Sequence, residues 1–334
     1  MEYYADIIVR YDLRIVVRSD DMKRVLFIAL IVITIILTGC NDDNNHTADD
    51  GISAGLLVTE SGLGDDSFSD SAFHGLEQAR DELGITFDYR EPFESDFVAQ
   101  MENLIEQDHD VIIGLSYNAL AAMDQLAEKY PEQQFVLIDA VSEKDNVTSI
   151  TFKEDEGSYL IGLIAGMKTE SDVVGFIGGE RIEVVEKFEE GFTKGVKEVN
   201  SEADVLVEYA ETFDDDGLGA QITQDMVEQG ADYIFHAAGF TGVGTLKEAE
   251  KQGIYAFGVD TDQYFVAEDA VVSSMMKNVN IALYDIMEKL ANGEKLDGSH
   301  IELGIEEEGV GLAPIRLIQL TESEQSRIDE VVEQ

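Results

Sequence analysis

Three things are scarce in this chain. One cysteine, Cys40, stands among 334 residues, prolines number three, and Lys plus Arg total 22 against 70 Asp plus Glu, for a formal net charge of −48. A single cysteine excludes an intrachain disulfide, a condition compatible with either side of a membrane. Pro-rich linkers are absent. Gripping a phosphate backbone takes clustered Lys and Arg, so the shortage of bases excludes nucleic acid as a partner. Five histidines (His46, His74, His109, His236, His300) are scattered, and no two show metal-ligand spacing. DDDG at 214–217 lacks the alternating oxygen ligands of a calcium loop. Neither a Gly-x-x-x-x-Gly-Lys-Ser/Thr phosphate loop nor a Gly-x-Ser-x-Gly nucleophile elbow occurs, and GFIGGE reads as a strand end. The chain offers no catalytic constellation and no cofactor motif, and so reads as a non-enzyme.

What is present is apolar content, at 44% hydrophobic residues. Disorder driven by charge needs that content depleted, so the acidity belongs to the surface of a folded protein. Such a surface suits saline or alkaline surroundings, where screening relieves self-repulsion. Residues 22–40 read MKRVLFIALIVITIILTGC. The apolar run from Val25 to Leu37, about 13 residues, is shorter than the roughly 20 needed to span a bilayer. With its basic start and small-residue exit it resembles the signal peptide and lipobox of a bacterial lipoprotein. That resemblance implies a mature chain beginning at Cys40, lipidated there and anchored on the extracytoplasmic face of the cell membrane. The unprocessed alternative is an anchor helix with an unmodified cysteine. Residues 1–21 carry acids where a signal peptide carries bases, and they read as an upstream extension outside the fold, with translation starting at Met22. Asn41 to Asp50 is a polar, flexible tether.

Beyond residue 50, short apolar runs alternate with amphipathic segments. Strands are predicted at 52–59, 85–90, 110–116, 134–140 and 147–152, then at 172–178, 203–210, 231–237, 254–260 and 270–276. Between them lie helical stripes such as Ala72, Phe73, Leu76, Ala79 and Leu83, or Phe97, Val98, Met101, Leu104 and Ile105. A helix follows from about Asn278 to Ala291, then a short strand pair near 300–313. Strict strand–helix alternation predicts an α/β protein built on parallel sheets covered on both faces. Two similar halves predict two lobes, residues 51–153 with 277–300 and residues 154–276 with 301–320. A cleft is expected between their strand ends.

The loops after the strands carry the informative residues: GLGDDSFSDSAFHG (62–75), IDA (138–140), EKFEEGFTKG (186–195), AAGFTGVG (237–244), GVDTDQ (258–263) and SSMMKNV (273–279). In this order and spacing they resemble the basic membrane protein family of substrate-binding lipoproteins, whose known members include purine nucleoside receptors feeding ABC importers. The resemblance spans essentially the whole mature chain. It implies the two-lobed periplasmic-binding-protein type I fold and a monomer that passes a nucleoside-like ligand to an ABC permease and ATPase. The family also includes a competence regulator of bacilli, so a signalling lipoprotein without a transport role is the alternative.

Residue by residue, the family's N-D-K-S-F-N reads here Gly64, Asp65, Asp66, Ser67, Phe68, Ser69. Asp65 and Phe68 match, while Gly64 and Ser69 replace amides. The resemblance places Phe68 on the face of a base and Asp65 and Ser69 at its edge. By position alone, Phe68 fits the core beneath the loop and Ser69 fits a helix N-cap. Phe188 shares an apolar stripe with Val185, Phe192, Val196 and Val199, which periodicity assigns to the core; the resemblance makes it a second stacking ring. Asp139 and Asp260 end strands, where parallel sheets bind ligands, and a carboxylate can accept from vicinal hydroxyls. The resemblance gives the sugar to Asp260, Gly239 and Lys277 and the base side to Asp139, although solvated aspartates and a lysine salt bridge are the plainer alternatives. Tyr117 is expected in the pocket wall, and Phe240, where the family has Gly, is expected to narrow the pocket or to contribute an extra ring. Hinges are expected near 152–156, 274–278 and 305–313.

Overall fold

Central strands of this chain are buried and largely apolar, as a sheet covered on both faces demands. Val111–Leu115 and Tyr233–Ala237 are buried throughout. The computed structural model describes residues 51–92 and 96–333, so the upstream extension, the signal-like segment, Cys40 and the tether lie outside the described residues. The described residues fall in one unit, Gly51–Gln334.

The first half supplies β1 (Ser53–Leu57), α1 (Phe68–Leu83), β2 (Thr86–Arg90), α2 (Phe97–Glu106), β3 (Val111–Leu115), α3 (Leu120–Lys129), β4 (Gln134–Ile138) and β5 (Val147–Phe152). The second supplies α4 (Glu154–Lys168), β6 (Val173–Gly178), α5 (Glu183–Val199), β7 (Asp204–Tyr209), α6 (Asp216–Glu228), β8 (Tyr233–Ala237), α7 (Gly239–Gln252), β9 (Tyr255–Asp260) and β10 (Val271–Lys277). Then follow α8 (Val279–Ala291), β11 (His300–Leu303), β12 (Val310–Leu312) and α9 (Glu322–Val332). Two six-stranded sheets result, ordered β11-β5-β4-β3-β1-β2 and β12-β10-β9-β8-β6-β7. Among the described residues, every strand pairing is parallel except that of β10 with β12. The halves share one winding, so both sheets turn their carboxyl ends, and the loops that follow them, toward a common cleft.

Helix faces follow the apolar spacing. In α1, Ala72, Leu76 and Ala79 are buried against the sheet, and Gly84, at φ 73, closes the helix in the left-handed conformation open to glycine. The chain passes between the sheets three times, at Lys153, at Asn278 and over residues 304–309. Lys277 is the last residue of β10 in the second sheet, and β11 stays in the first sheet to Leu303.

Two expectations are corrected. Alternation is not strict, since β4 and β5 are joined by a loop without a helix. Its sequence, AVSEKDN (140–146), has no apolar stripe to bury, and side chains hold it instead: Asn146 Nδ2 donates to the carbonyls of Ala127, Tyr130 and Gln133. Nor do the last two strands pair with each other. β11 extends the first sheet beside β5 and β12 the second beside β10, because the turn between them is itself a passage between lobes. Helix α9 was not foreseen. It packs on α4 through the buried Ile328 and an ion pair from Lys168 to Glu324 at 3.1 Å.

Candidate ligand site

A cavity of about 310 Å³ lies between the strand ends of the two sheets. Its walls come from loops after β1, β3, β4, β6, β7 and β8, from the start of α5 and from the ends of β9 and β10. Three strand-end residues, Ser116, Asp139 and Asp260, sit at φ 72, 66 and 64. That left-handed region is unfavourable for residues with a Cβ, though Asp tolerates it better than most, and it turns the chain sharply off the sheet. Strained backbone of this kind is concentrated at binding sites.

The floor is ionic. Lys277, 2% exposed, places Nζ 2.5 Å from Asp139 Oδ2 and 2.9 Å from Glu154 Oε1. Around the same ammonium stand the rings of Phe68 and Phe152 at 5.1 Å and Phe188 at 5.6 Å. Burial alone would depress the ammonium, but Asp139, Glu154 and Asp260 outweigh it and hold Lys277 above its ordinary value. Burial raises the Glu154 carboxyl, against the pull of Lys277. Asp260, 8% exposed, is pushed up by burial to about 7, with Lys277 and Ser67 acting against the rise and Asp65 and Asp139 adding to it. An ammonium has three donors, so the two carboxylates leave one for the cavity. Beside it, Asp139 Oδ1 is buried and has no hydrogen-bond partner among the described residues.

Contacts also cross the cleft directly. Ser67 Oγ donates to Asp260 Oδ2, Thr261 Oγ1 to the Asp66 carbonyl at 2.7 Å, and Gln263 Nε2 to the same carbonyl at 3.1 Å. On another wall, the Tyr117 hydroxyl donates to Glu180 Oε2 at 2.7 Å, and its own proton is held up to about pH 12, chiefly by burial and then by that carboxylate. The lobes are therefore in contact around the cavity.

Asp65, Phe68, Tyr117, Asp139, Phe188, Gly239, Asp260 and Lys277 all line the cavity. Ser69 does not. It is fully buried, its hydroxyl shares a 2.9 Å hydrogen bond with Thr59, and Thr59 takes the place on the wall. Asp65 lines the wall, but its carboxylate is occupied in capping α1, accepting from the backbone N–H groups of Ser67, Ser69 and Asp70 at 3.0, 2.9 and 3.2 Å. Burial raises its pKa, and those three N–H groups oppose the rise. The resemblance put Lys277 and Asp139 at opposite ends of a ligand, whereas the structure joins them in one ion pair. Phe240 is absent from the wall; the ring beside Gly239 is Phe213, whose carbonyl a Gly239 Cβ would meet at 3.3 Å. Sequence reasoning missed Glu154, Phe152, Ser67, Glu180 and Phe213. All but Glu154 end a strand or lie in a loop after one, so applying the strand-end rule to every loop would have raised four of the five.

Two like α/β lobes closing loops over a ligand-sized, aromatic and polar cavity are the build of two-lobed solute-binding proteins. Residues 52–333 match the family model described as ABC transporter substrate-binding protein PnrA-like, and the chain belongs to that family. Among relatives, the CD4+ T-cell-stimulating antigen of Listeria innocua is 35% identical, the match covering 87% of this chain and 90% of that protein. The ABC transporter nucleoside-binding protein BmpA of Lactococcus lactis subsp. cremoris is 28% identical, with 87% and 91% covered. Among solved structures, an ABC transporter solute-binding protein from Aeropyrum pernix K1 superposes with a TM-score of 0.76 at 24% identity, over 84% of this chain and 90% of that one.

Proposed function

We propose that this substrate-binding protein captures a nucleoside-like ligand outside the cytoplasmic membrane, anchored there through a lipid on Cys40, and passes it as a monomer to an ABC permease and ATPase. One observation carries the ligand class: Phe68 and Phe188 line the same cavity as the Lys277 ammonium and the carboxylates of Asp139 and Asp260. Rings suit a flat heterocycle, and adjacent donors and acceptors suit the hydroxyls of a pentose. The Lactococcus relative, a nucleoside-binding protein by name, points the same way. The lipid anchor rests on residues 22–40, read from sequence.

Uptake works by closure. A ligand touching both lobes favours the closed state by its differential affinity. Thermal-shift measurements with guanosine, inosine, adenosine and cytidine test the ligand class. At a hundredfold excess over its dissociation constant, a bound nucleoside stabilises the protein by about 2.7 kcal/mol. No shift with any of the four would remove the nucleoside assignment.

A further inference from the structure

Glu154 is 1% exposed and lies beneath the cavity wall without lining it. It begins α4 directly after the first passage between lobes and faces Lys277, which ends β10 directly before the second. Its Oε1 is 2.9 Å from the ammonium; its Oε2 has no hydrogen-bond partner among the described residues, with Lys187 Nζ of α5 at 3.8 Å. Desolvating a carboxylate this deeply is costly, so its presence asks for a compensating role.

The two carboxylates on Lys277 differ in allegiance. Asp139 follows β4 in the first lobe, so opening the cleft separates it from Lys277. Glu154 moves with Lys277, because α4 packs against α5, β10 and β12 of the second lobe. We propose that Glu154 is a positioning residue that keeps the Lys277 ammonium seated in the cleft floor while the lobes are apart, so that ligand and Asp139 meet a donor already in place. The proposal rests on the cleft being the ligand site. Without Glu154, the ammonium in an open cleft swings to water or loses its proton beside Phe188, the ring of its own lobe, and closure has to reverse that cost. The charged groups facing Lys277 are Asp139 from the loop after β4, Glu154 from α4 and Asp260 from the end of β9, with Asp65 behind Asp260 and Lys187 behind Glu154.

The test uses the full chain in detergent and two readouts. Lysine acetylation followed by mass spectrometry at pH 10 needs no ligand. Lys277 should be the slowest-reacting lysine among the described residues, and Glu154→Gln should speed it at least tenfold; an unchanged rate overturns the proposal. Guanosine affinity should fall at least tenfold in Glu154→Gln, less in Glu154→Asp, and Glu154→Gln should be silent in a Lys277→Met background. An equal loss in that background shows that Glu154 does not act through Lys277 and also overturns the proposal. Should Glu154→Gln fail to fold, Glu154→Asp carries both readouts with the same signs. If guanosine does not bind the unaltered protein, the affinity readout uses whichever of inosine, adenosine and cytidine does; if none of the four binds, the nucleoside reading fails, and the acetylation rates still decide the role of Glu154.

Discussion

Replacing Lys277 with Met tests whether the cleft floor is held by charge or by shape. Met is close to Lys in volume and unbranched, so packing among Phe68, Phe152 and Phe188 changes little, by less than about 1.5 kcal/mol. Charge changes much more. The substitution leaves Glu154 and Asp139 beside each other without their shared cation. Removing one partner of a buried pair costs about 3–5 kcal/mol, a large part of the roughly 5–15 kcal/mol that stabilises a domain.

The loss should depend on pH, with a sign fixed by Glu154. Burial already lifts its folded-state pKa above 4.5, and Lys277 pulls it back, so removing Lys277 lifts it further. The folded variant then binds a proton that the unfolded chain releases from about pH 4.5 upward, and its stability falls as pH rises. Urea unfolding at pH 5 and pH 8 reads this out. The gap between Lys277→Met and the unaltered protein should be about 3–5 kcal/mol at pH 8 and clearly smaller at pH 5. A gap below 1 kcal/mol at pH 8, or one of equal size at both pH values, would refute an ionic floor.

Asp260 makes a related prediction in the unaltered protein. Its carboxyl rises from 3.8 to about 7 on folding, so its contribution is present at acid pH and declines as pH rises through that window. The full excursion is on the order of 4 kcal/mol at most, and Asp260→Asn should flatten the stability profile between pH 4 and 7; an unaltered slope contradicts the assignment. Phe68→Ala should weaken guanosine binding by about 1–3 kcal/mol, the range for losing a ring stacked on a base, as read by calorimetry. Tyr117→Phe removes one hydrogen bond between the lobes, worth about 0.5–1.5 kcal/mol, and should speed guanosine release several-fold in stopped flow without altering the fold. Gly239→Ala places a Cβ at φ 53 within 3.4 Å of Phe213 and should lower stability by about 1–2 kcal/mol in urea.

Most of the architecture was legible because parallel strands covered on both faces are written as short apolar runs, and each such run predicted here is a strand in the structure. What escaped depended on partners. Whether 300–303 and 310–312 pair with each other or join different sheets is settled by tertiary geometry, which local sequence does not encode. Helix α9 did carry a signal, the Thr321 and Glu324 capping box, but its single buried residue, Ile328, gives almost no apolar stripe. At the site, strand-end position was enough to bring Asp139 and Asp260 to the cavity. Ser69 was misplaced because helix phase turns its hydroxyl toward Thr59. Glu154 was invisible among 70 acidic residues. Only its placement between two passages of the chain, against a lysine distant in sequence, sets it apart.

The most direct measurement is a crystal structure of the protein grown with guanosine. The account predicts the nucleoside between the lobes, its base against Phe68 or Phe188 and its hydroxyls within hydrogen-bond distance of Asp139 Oδ1, Asp260 or Lys277 Nζ. A cleft filled by the protein's own side chains, or guanosine bound elsewhere with those residues untouched, would contradict it.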